Sequence, residues 1–248
     1  MRKIFFFFPI LSISLCAEPG IRPNTAQAGL IRETLCRYDK STPDFSVCFG
    51  QPLYTMPSLQ RKALLIYFSA LTCPQCALFY QTDLCTLIQK TQEKALRIVI
   101  RDYPIDGISM RASACIWSLN RPPKKRHFIF QSVFQQQEKW MKKIGIIPNA
   151  ISLKQTMKAI EDTIMDCENI QSQKEKKCIQ NSHQDTSNTS VMKQLFDAHN
   201  VDQHLFNIQG TPFAVLIMQD INGSYTMQTF FGNDMKNSLM DAVNRWLK

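Results

Sequence analysis

The sequence predicts an α/β fold in which a mixed sheet, covered by helices on both faces, is interrupted by a large inserted helical subdomain. Three observations support this prediction. Two buried-strand patterns flank a helical pattern, a long middle region repeats apolar residues at helical spacing, and the chain closes with a hairpin pattern and an amphipathic helix. The composition, with 44% hydrophobic residues, is ordinary for a globular protein.

Residues 1–17 have the pattern of a secretory signal peptide. Arg2 and Lys3 form a basic start, the apolar run 4–15 is too short to span a bilayer, and Cys16 and Ala17 follow as small residues. Cleavage there would produce an exported, periplasmic protein. A lipoprotein acylated at Cys16 is the alternative, and the bulky leucine just before that cysteine argues against it.

Residues 18–57 contain Pro, Gly and Thr and are predicted to form an irregular N-terminal extension. A disulfide between Cys36 and Cys48 would suit a segment with little core of its own. The other predicted boundaries are the first part of the sheet domain at 58–107, the inserted helical subdomain at 108–207, and the second part of the sheet domain at 208–248.

The first part of the sheet domain contains a strand–helix–strand unit. Residues 62–69 (KALLIYFS) and 96–103 (LRIVIRDY) are apolar runs of strand length, typical of strands covered on both faces. Residues 77–92 between them indicate a helix. Such a short unit requires that its two strands pair in parallel.

The insertion is predicted from helical periodicity, with apolar residues at i, i+4, i+7 and i+8 from Ile108 to Leu119 and in two later stretches. These stripes are interpreted as packing faces. The polar stretch 171–190 is interpreted as a mobile loop.

The end of the chain returns to sheet. Residues 213–218 (FAVLIM) and 224–231 indicate strands on either side of the tight-turn pair Asn222-Gly223. Asn233 is expected to cap a last helix. The apolar face of that helix contains Met235, Leu239, Ala242, Val243 and Trp246.

The net charge of +9 falls to +7 when Arg2 and Lys3 are removed with the signal. The basic residues are scattered and are not interleaved with aromatic residues along one face. We therefore predict no nucleic-acid partner.

Nine cysteines are present, and loss of Cys16 leaves an even number, which suggests disulfides in an exported chain. Cys73 and Cys76, with the dipeptide Pro74-Gln75 between them, form a CxxC motif where a buried strand ends and a helix begins. The N–H groups and dipole of the helix N-terminus favour a Cys73 thiolate with a lowered pKa. Such a thiolate is both a nucleophile and a good leaving group. Cys76, one turn further, is expected to close the disulfide and to be shielded from solvent.

Two alternatives give the CxxC no redox role. A zinc site is disfavoured because no second CxxC completes four ligands and the four histidines are scattered, so no metal is expected. An inert structural disulfide is the stronger alternative, because an oxidising compartment forms such bonds freely.

Gly210-Thr211-Pro212 is the second informative motif, immediately before the apolar strand at 213–218. Proline is tolerated at the first residue of a strand, and an X-Pro bond there can be cis. Taken alone, the Thr-Pro pair indicates only a turn.

CPQC after an apolar strand, the helical insertion, and GTP before an apolar strand together resemble the DsbA family of bacterial disulfide oxidoreductases, over about residues 58–248. Further likenesses are DYPID at 102–106 and VFQQQEKW, which ends at Trp140. The resemblance implies a thioredoxin fold with a large inserted helical subdomain, and a redox-active disulfide that needs no organic cofactor.

The resemblance also implies roles for individual residues. Cys73 corresponds to the exposed nucleophile and Cys76 to the resolving cysteine. Thr211, before a cis Pro212, would lie against the active-site disulfide and pair with the substrate backbone.

Two positions depart from the family pattern. Gln75 stands where many members place a histidine that contributes to oxidising power, and Tyr67 and Phe68 occupy the region of a frequent acidic residue. Some relatives carry a further disulfide within the helical subdomain, which implies Cys115 with Cys167, and two separate buried thiols are the alternative.

The predicted activity is the oxidation of dithiols in newly exported proteins through a mixed disulfide at Cys73. Reduced exported proteins are the expected substrates, a membrane oxidase of the DsbB type is the recycling partner implied by the family, and a monomer is expected. One alternative is a reductase or isomerase that uses the same site in reverse. The other is a chaperone-like binding protein with a structural CxxC disulfide.

Overall fold

The computed structural model describes residues 26–39, 45–49, 62–93, 96–119, 121–142, 150–168, 186–220, 222–232 and 234–247. The predicted signal peptide therefore lies outside the described residues. Among the residues described, no helix has the length and apolar character needed to cross a membrane.

From residue 62 onwards the elements follow the predicted order, and the described residues contain five strands with helices between and around them. The strands are β1 Ser46–Phe49, β2 Ala63–Ser69, β3 Leu96–Asp102, β4 Phe213–Gln219 and β5 Tyr225–Phe231. The helices are α1 Ala26–Tyr38, α2 Pro74–Thr82, α3 Leu84–Glu93, α4 Gly107–Ser118, α5 Pro123–Gln135, α6 Gln137–Met141, α7 Ala150–Glu168, α8 Thr186–Phe206 and α9 Met235–Leu247.

The five strands form one mixed sheet in the order β1-β3-β2-β4-β5. β2 and β3 pair in parallel, and the three other pairs are antiparallel. Every residue of β2 and β3 is buried, as expected for strands covered on both faces. The predicted strand–helix–strand unit and the final hairpin are both confirmed.

Alternate residues of the central strands supply two separate cores. Leu65 and Tyr67 of β2 face α2 and the helical insertion in the larger core. Leu64, Ile66 and Phe68 face the opposite way, and pack with residues of α1 and the end of α8 in the smaller core. This alternation follows from the period of two along a strand, and it decides which side chains can approach the CxxC motif.

The insertion consists of α4 to α8, between β3 and β4. α5 packs against both α2 and α7, while α4 packs against α7 and α8. Because α5 contacts the helix that follows the CxxC motif, the insertion contributes directly to the surroundings of that motif.

The prediction of an irregular N-terminal extension is wrong over the described part of 18–57. α1 buries Ile31, Leu35 and Tyr38 against the sheet, and β1 adds an antiparallel strand to the outer edge of β3. Those three residues are spaced i, i+4 and i+7, which is the signal of an amphipathic helix. β1 also supplies hydrogen-bond partners that an edge strand would otherwise lack.

Two helix boundaries also differ from prediction. The helix expected at 77–92 is divided into α2 and α3 at Asp83, whose N–H bonds the carbonyl of Phe79. Residues 186–190, predicted as part of a loop, begin α8 because a helix accepts polar residues outside its packing face. Asn233 and residues 171–185 lie outside the described residues, so the cap and the rest of the loop stay predictions.

Candidate active site

The CxxC motif lies where β2 ends and α2 begins. Cys73 is the N-cap residue of α2 with an extended backbone, and Pro74 occupies the first turn, where its missing N–H costs nothing. The N–H of Cys76 donates a hydrogen bond of 3.1 Å to the Cys73 sulfur. The helix terminus therefore directs a backbone donor at this sulfur, as the sequence predicts.

The two cysteines differ in solvent exposure. Cys76 is completely buried and Cys73 is 5% exposed, while Pro74 and Gln75 between them are exposed. The expectation of an openly exposed Cys73 is therefore wrong, because the Gly210–Pro212 loop lies over it: the Cys73 thiol donates a hydrogen bond of 3.3 Å to the carbonyl oxygen of Thr211.

The two thiols also differ in acidity. The hydrogen bond with Cys76 is the largest of the effects that lower the pKa of Cys73 to about 7, and the Thr211 side chain and backbone N–H groups act in the same direction against burial. Burial, followed by the hydrogen bond and charge of Cys73, raises the pKa of Cys76 well above its ordinary value. Cys73 is thus the thiolate near neutral pH, and Cys76 is the protonated partner.

The second predicted motif meets the first in space, although 138 positions separate Cys73 from Thr211. The Thr211–Pro212 peptide bond is cis. The Thr211 hydroxyl is buried and lowers the pKa of both cysteines. At Gly210 an added Cβ would come within 3.3 Å of the Phe231 ring, so glycine permits that ring to pack closely against the loop.

Gln137, from the insertion, holds the active-site loop. Its side-chain amide donates to the carbonyl oxygens of Leu71, at 2.7 Å, and Cys73, at 3.0 Å. The sequence predicts a helical packing face over residues 130–141, which contains Gln137, but no role for this residue. The available signal was a single glutamine among the apolar residues of that stripe.

Thr72 connects the same loop to the DYPID segment. Its hydroxyl donates a hydrogen bond to the Asp106 carboxylate. The other oxygen of Asp106 accepts from the N–H groups of Ile108 and Ser109, so that Asp106 caps α4. One aspartate therefore fixes the start of the insertion relative to the residue preceding Cys73.

Tyr67 lies beneath Cys76 in the larger core. It is completely buried, and its hydroxyl faces the Cys76 thiol. Burial and the nearby thiols raise the pKa of Tyr67 well above its ordinary value, so the phenol stays neutral and can donate a hydrogen bond.

A shallow surface pocket adjoins the CxxC motif. Its lining includes Gln75, Leu78, Pro212, Met235 and Lys236. Leu78 is 46% exposed, which is unusual for a large apolar side chain beside a reactive group.

The remaining cysteine pairs stay predictions. Cys115 is buried in α4, which packs against α7, and Cys167 lies near the end of α7, where its side chain is outside the described residues. Cys36 lies on α1 and Cys48 on β1, and both are half-buried.

In the described part of the chain, no group of three or more His, Cys, Asp or Glu is arranged to hold a metal ion. His127 packs between Phe49 and Tyr80, with ring centroids 4.9 Å and 5.8 Å away, and His199 stacks on Tyr103 at 4.0 Å. These two histidines are therefore packing residues.

A CxxC motif at a helix N-terminus, opposite a loop with a cis proline, defines a thioredoxin-type redox site. A family model described as Thioredoxin matches residues 60–220, and the chain belongs to this family. No significant match is found among curated proteins.

Solved structures of DsbA-like proteins share this fold. α-DsbA1 of Wolbachia pipientis superposes with a TM-score of 0.59 at 17% identity, covering 83% of this chain and 92% of that one. A protein-disulfide isomerase from Novosphingobium aromaticivorans gives 0.55 at 16% identity, with 81% and 98% coverage. Oxidised BdbD from Bacillus subtilis gives 0.52 at 13% identity, with 82% and 92% coverage. These similarities establish that the fold is of the DsbA-like type.

Proposed function

We propose that this protein is an exported thiol–disulfide oxidoreductase that introduces disulfide bonds into secreted or periplasmic proteins through Cys73 and Cys76. The observation that carries the proposal is the difference in acidity between two adjacent thiols at a helix N-terminus. The pKa of Cys73 is lowered to about 7 and that of Cys76 is raised. Near neutral pH, Cys73 is therefore the reactive thiolate and Cys76 stays protonated.

In the proposed reaction, a substrate thiolate attacks the Cys73 sulfur of the oxidised enzyme and Cys76 leaves as a thiolate that takes up a proton. A second substrate thiolate then attacks the substrate sulfur of the mixed disulfide, closes the substrate disulfide and releases Cys73. Substrate loses two electrons and the enzyme gains two. Stabilisation of the Cys73 thiolate favours the reduced enzyme, which makes the disulfide an oxidant.

Thr211 and Pro212 support this reaction by their position. The Thr211 backbone lies within hydrogen-bond distance of the Cys73 sulfur, so a peptide joined to that sulfur passes beside it. We propose that an extended substrate segment pairs with the Thr211 backbone, and that apolar substrate side chains contact Leu78 and Pro212 in the adjoining pocket.

We further propose that the enzyme is a monomer in the periplasm, and that a membrane oxidase of the DsbB type reoxidises it. These proposals rest on the signal-peptide pattern of residues 1–17 and on the family resemblance. Mass spectrometry of the exported chain would test them: an N-terminus at residue 17 or 18 supports export and cleavage, whereas a lipid-modified Cys16 identifies an anchored lipoprotein.

The central test is the reduction potential of the Cys73–Cys76 pair, measured by equilibrating the exported protein with glutathione buffers. A Cys73→Ser/Cys76→Ser variant corrects for the other cysteines. A potential of about −120 mV, similar to strong oxidants of this fold, is the result expected for an oxidase.

Two other outcomes would redirect the assignment. A potential of about −180 to −230 mV would favour a reductase or isomerase, which uses the same two cysteines in the opposite direction. A potential below about −300 mV would identify a structural bond. In that case, capture of unfolded protein by the double-serine variant would support the chaperone-like alternative.

A further inference from the structure

We propose that Asp102 exchanges a proton with Cys76 through a buried row of hydroxyl groups formed by Tyr67, Tyr80 and Ser69. The proposal rests on the proposed function, since it concerns how the buried cysteine gains and loses its proton. It assigns a role to an aspartate that lies neither in the CxxC motif nor in the loop opposite to it.

The sheet places this row directly beneath α2. Tyr67 and Ser69 are two residues apart on β2 and so point to the same face, and Ser69 lies opposite Asp102 in the parallel register with β3. Cys76 and Tyr80 are one turn apart on α2 and face the same side. Five polar side chains from three elements thus meet inside the larger core.

All five residues are buried, and unpaired polar groups in a core are costly. The Tyr67 hydroxyl has no well-formed hydrogen bond within the described residues and faces the Cys76 thiol. The ring centroid of Tyr80 lies 6.4 Å from that of Tyr67. Tyr80 is hydrogen-bonded to Ser69, and burial, followed by the charges of Asp102 and Cys76, raises its pKa. The three hydroxyl-bearing side chains therefore lie between the cysteine and the carboxyl group.

A small pocket completes the connection. Its cavity volume is only about 10 Å³, and Ser69, Tyr80 and Asp102 contribute its polar lining among apolar residues that include Val47 and Ile100. A polar pocket of this size is at the lower limit for a single bridging water molecule. Such a water would join the Tyr80 hydroxyl to the carboxyl group.

The groups around Asp102 hold it in place and leave it able to change its protonation state. From α4, Ser113 donates to one carboxyl oxygen at 3.0 Å and Trp117 to the other at 2.8 Å. Arg101 is its charged neighbour on β3, and the Arg126 guanidinium of α5 lies 4.1 Å from the Trp117 ring centroid. Burial outweighs these effects and raises the pKa of Asp102 to about 7, so both protonation states exist near neutral pH.

The proton balance follows the redox step in each direction. When substrate attacks Cys73, Cys76 leaves as a thiolate and takes a proton from the row of hydroxyl groups. Asp102 then returns a proton to the row and becomes a carboxylate. During reoxidation, the Asp102 carboxylate removes the proton from the Cys76 thiol. The Cys76 thiolate then attacks the Cys73 sulfur of the mixed disulfide, forms the Cys73–Cys76 bond and releases the partner's thiolate.

The test uses Ellman's reagent, an aromatic disulfide, as the oxidant of the reduced protein in a stopped-flow experiment. The first coloured thiolate is released when Cys73 attacks the reagent, and the second when Cys76 closes the ring. The rate of the first phase depends on reagent concentration and reports Cys73, while the second phase is unimolecular and reports Cys76. The Cys73→Ser/Cys76→Ser variant measures the background from the other thiols.

Tyr67→Phe and Asp102→Asn should slow the second phase about tenfold or more at pH 7, the scale of a lost proton transfer, and leave the first phase unchanged. In the unmodified protein the second phase should show an inflection near pH 7 that both variants lose. Tyr103→Phe is the matched control, because Tyr103 bonds Gln203 through its hydroxyl and lies in the smaller core, away from the row.

A second phase of normal rate and pH dependence in the Tyr67→Phe variant overturns the proposal. That variant keeps the aromatic ring and should fold, so it decides the matter even where loss of the Asp102 carboxylate prevents folding. If the unmodified protein itself never closes the Cys73–Cys76 bond, the proposed oxidoreductase function fails instead, and mass spectrometry of the quenched reaction distinguishes the two cases.

Discussion

The side-chain amide of Gln137 donates a hydrogen bond of 3.0 Å to the backbone carbonyl of Cys73. A residue of the helical insertion thus supports the reactive residue of the sheet domain. The same amide also satisfies the carbonyl of Leu71, at 2.7 Å. Buried carbonyl groups of a loop need such partners, and here they come from a helix more than sixty residues later in the chain.

Gln137→Ala should lower the free energy of unfolding by about 1–2 kcal/mol, because the buried Leu71 carbonyl loses the Gln137 donor and the Cys73 carbonyl keeps only the Ala77 N–H. It should also slow the reaction of Cys73 with iodoacetamide or change its pH dependence, since the loop that carries this residue loosens. Urea denaturation and alkylation kinetics measure the two effects. Gln135→Ala is the control, as that glutamine is exposed on α5, and equal effects of the two substitutions would show that Gln137 has no special role.

The alkylation rate of Cys73 should rise with pH around an inflection near 7, because hydrogen bonds to its sulfur lower its pKa to about 7. Thr211→Val should move the inflection to higher pH, since it removes a hydroxyl that lowers this pKa. The rate is measured with iodoacetamide and mass spectrometry of the modified peptide. An inflection near the ordinary thiol value of about 8.5 would contradict the prediction.

The lowered pKa of Cys73 should also affect the stability of the reduced protein. Its pKa in the folded chain, about 7, lies below its value of about 8.5 in the unfolded chain. The resulting stabilisation is complete above pH 8.5 and is lost as the pH falls through 7. Thermal unfolding of the reduced protein between pH 6 and 9 measures this stabilisation. In the Cys73→Ser variant, the part of the pH dependence that is due to Cys73 should vanish.

His127 should make the protein less stable in acid. Burial lowers its pKa to about 4, so protonation below its unfolded value of about 6.5 favours the unfolded chain, and stability declines from pH 6.5 towards 4. His127→Phe, which can keep the contacts with Phe49 and Tyr80, should remove a loss of roughly 1–2 kcal/mol at pH 5. Urea denaturation at pH 7 and pH 5 tests this. His204→Phe, at an exposed position on α8, is the control.

Asp202 should contribute strongly to the stability of the protein, because it pairs with Arg101 and Tyr38 on the sheet face that bears the smaller core. Its carboxylate lies 2.6 Å from the Arg101 guanidinium and accepts a hydrogen bond from Tyr38, and both charged side chains are buried. Asp202→Asn should destabilise the protein by about 3–5 kcal/mol, because a buried arginine loses its carboxylate.

The matched control for that substitution is Asp197→Asn, on the same helix. Asp197 pairs with Lys193 at 2.8 Å, but both side chains are exposed, so its loss should cost at most about 1 kcal/mol. Denaturation midpoints that are equal for the two variants would contradict the importance of the buried pair.

Several features of the fold could be predicted because neighbouring residues determine them. The unbroken apolar runs of β2 and β3, the Asn222-Gly223 turn and the repeating face of α9 are local patterns with direct physical causes. α1 was missed although Ile31, Leu35 and Tyr38 carry helical spacing, because prolines and glycines around the helix suggested an irregular segment. The break at Asp83 was missed because nothing in the local pattern requires it.

The strands from β2 onwards, the last helix, the position of Cys73 and Cys76 at a strand–helix junction and the place of Gly210-Thr211-Pro212 before a strand all follow from the sequence. By contrast, the bond from Gln137 to the Cys73 carbonyl and the place of Asp102 opposite Ser69 emerge only from tertiary packing. The reason is physical. Helix and strand patterns arise from residues a few positions apart, whereas a buried polar group finds its partner wherever the packing of distant elements places one.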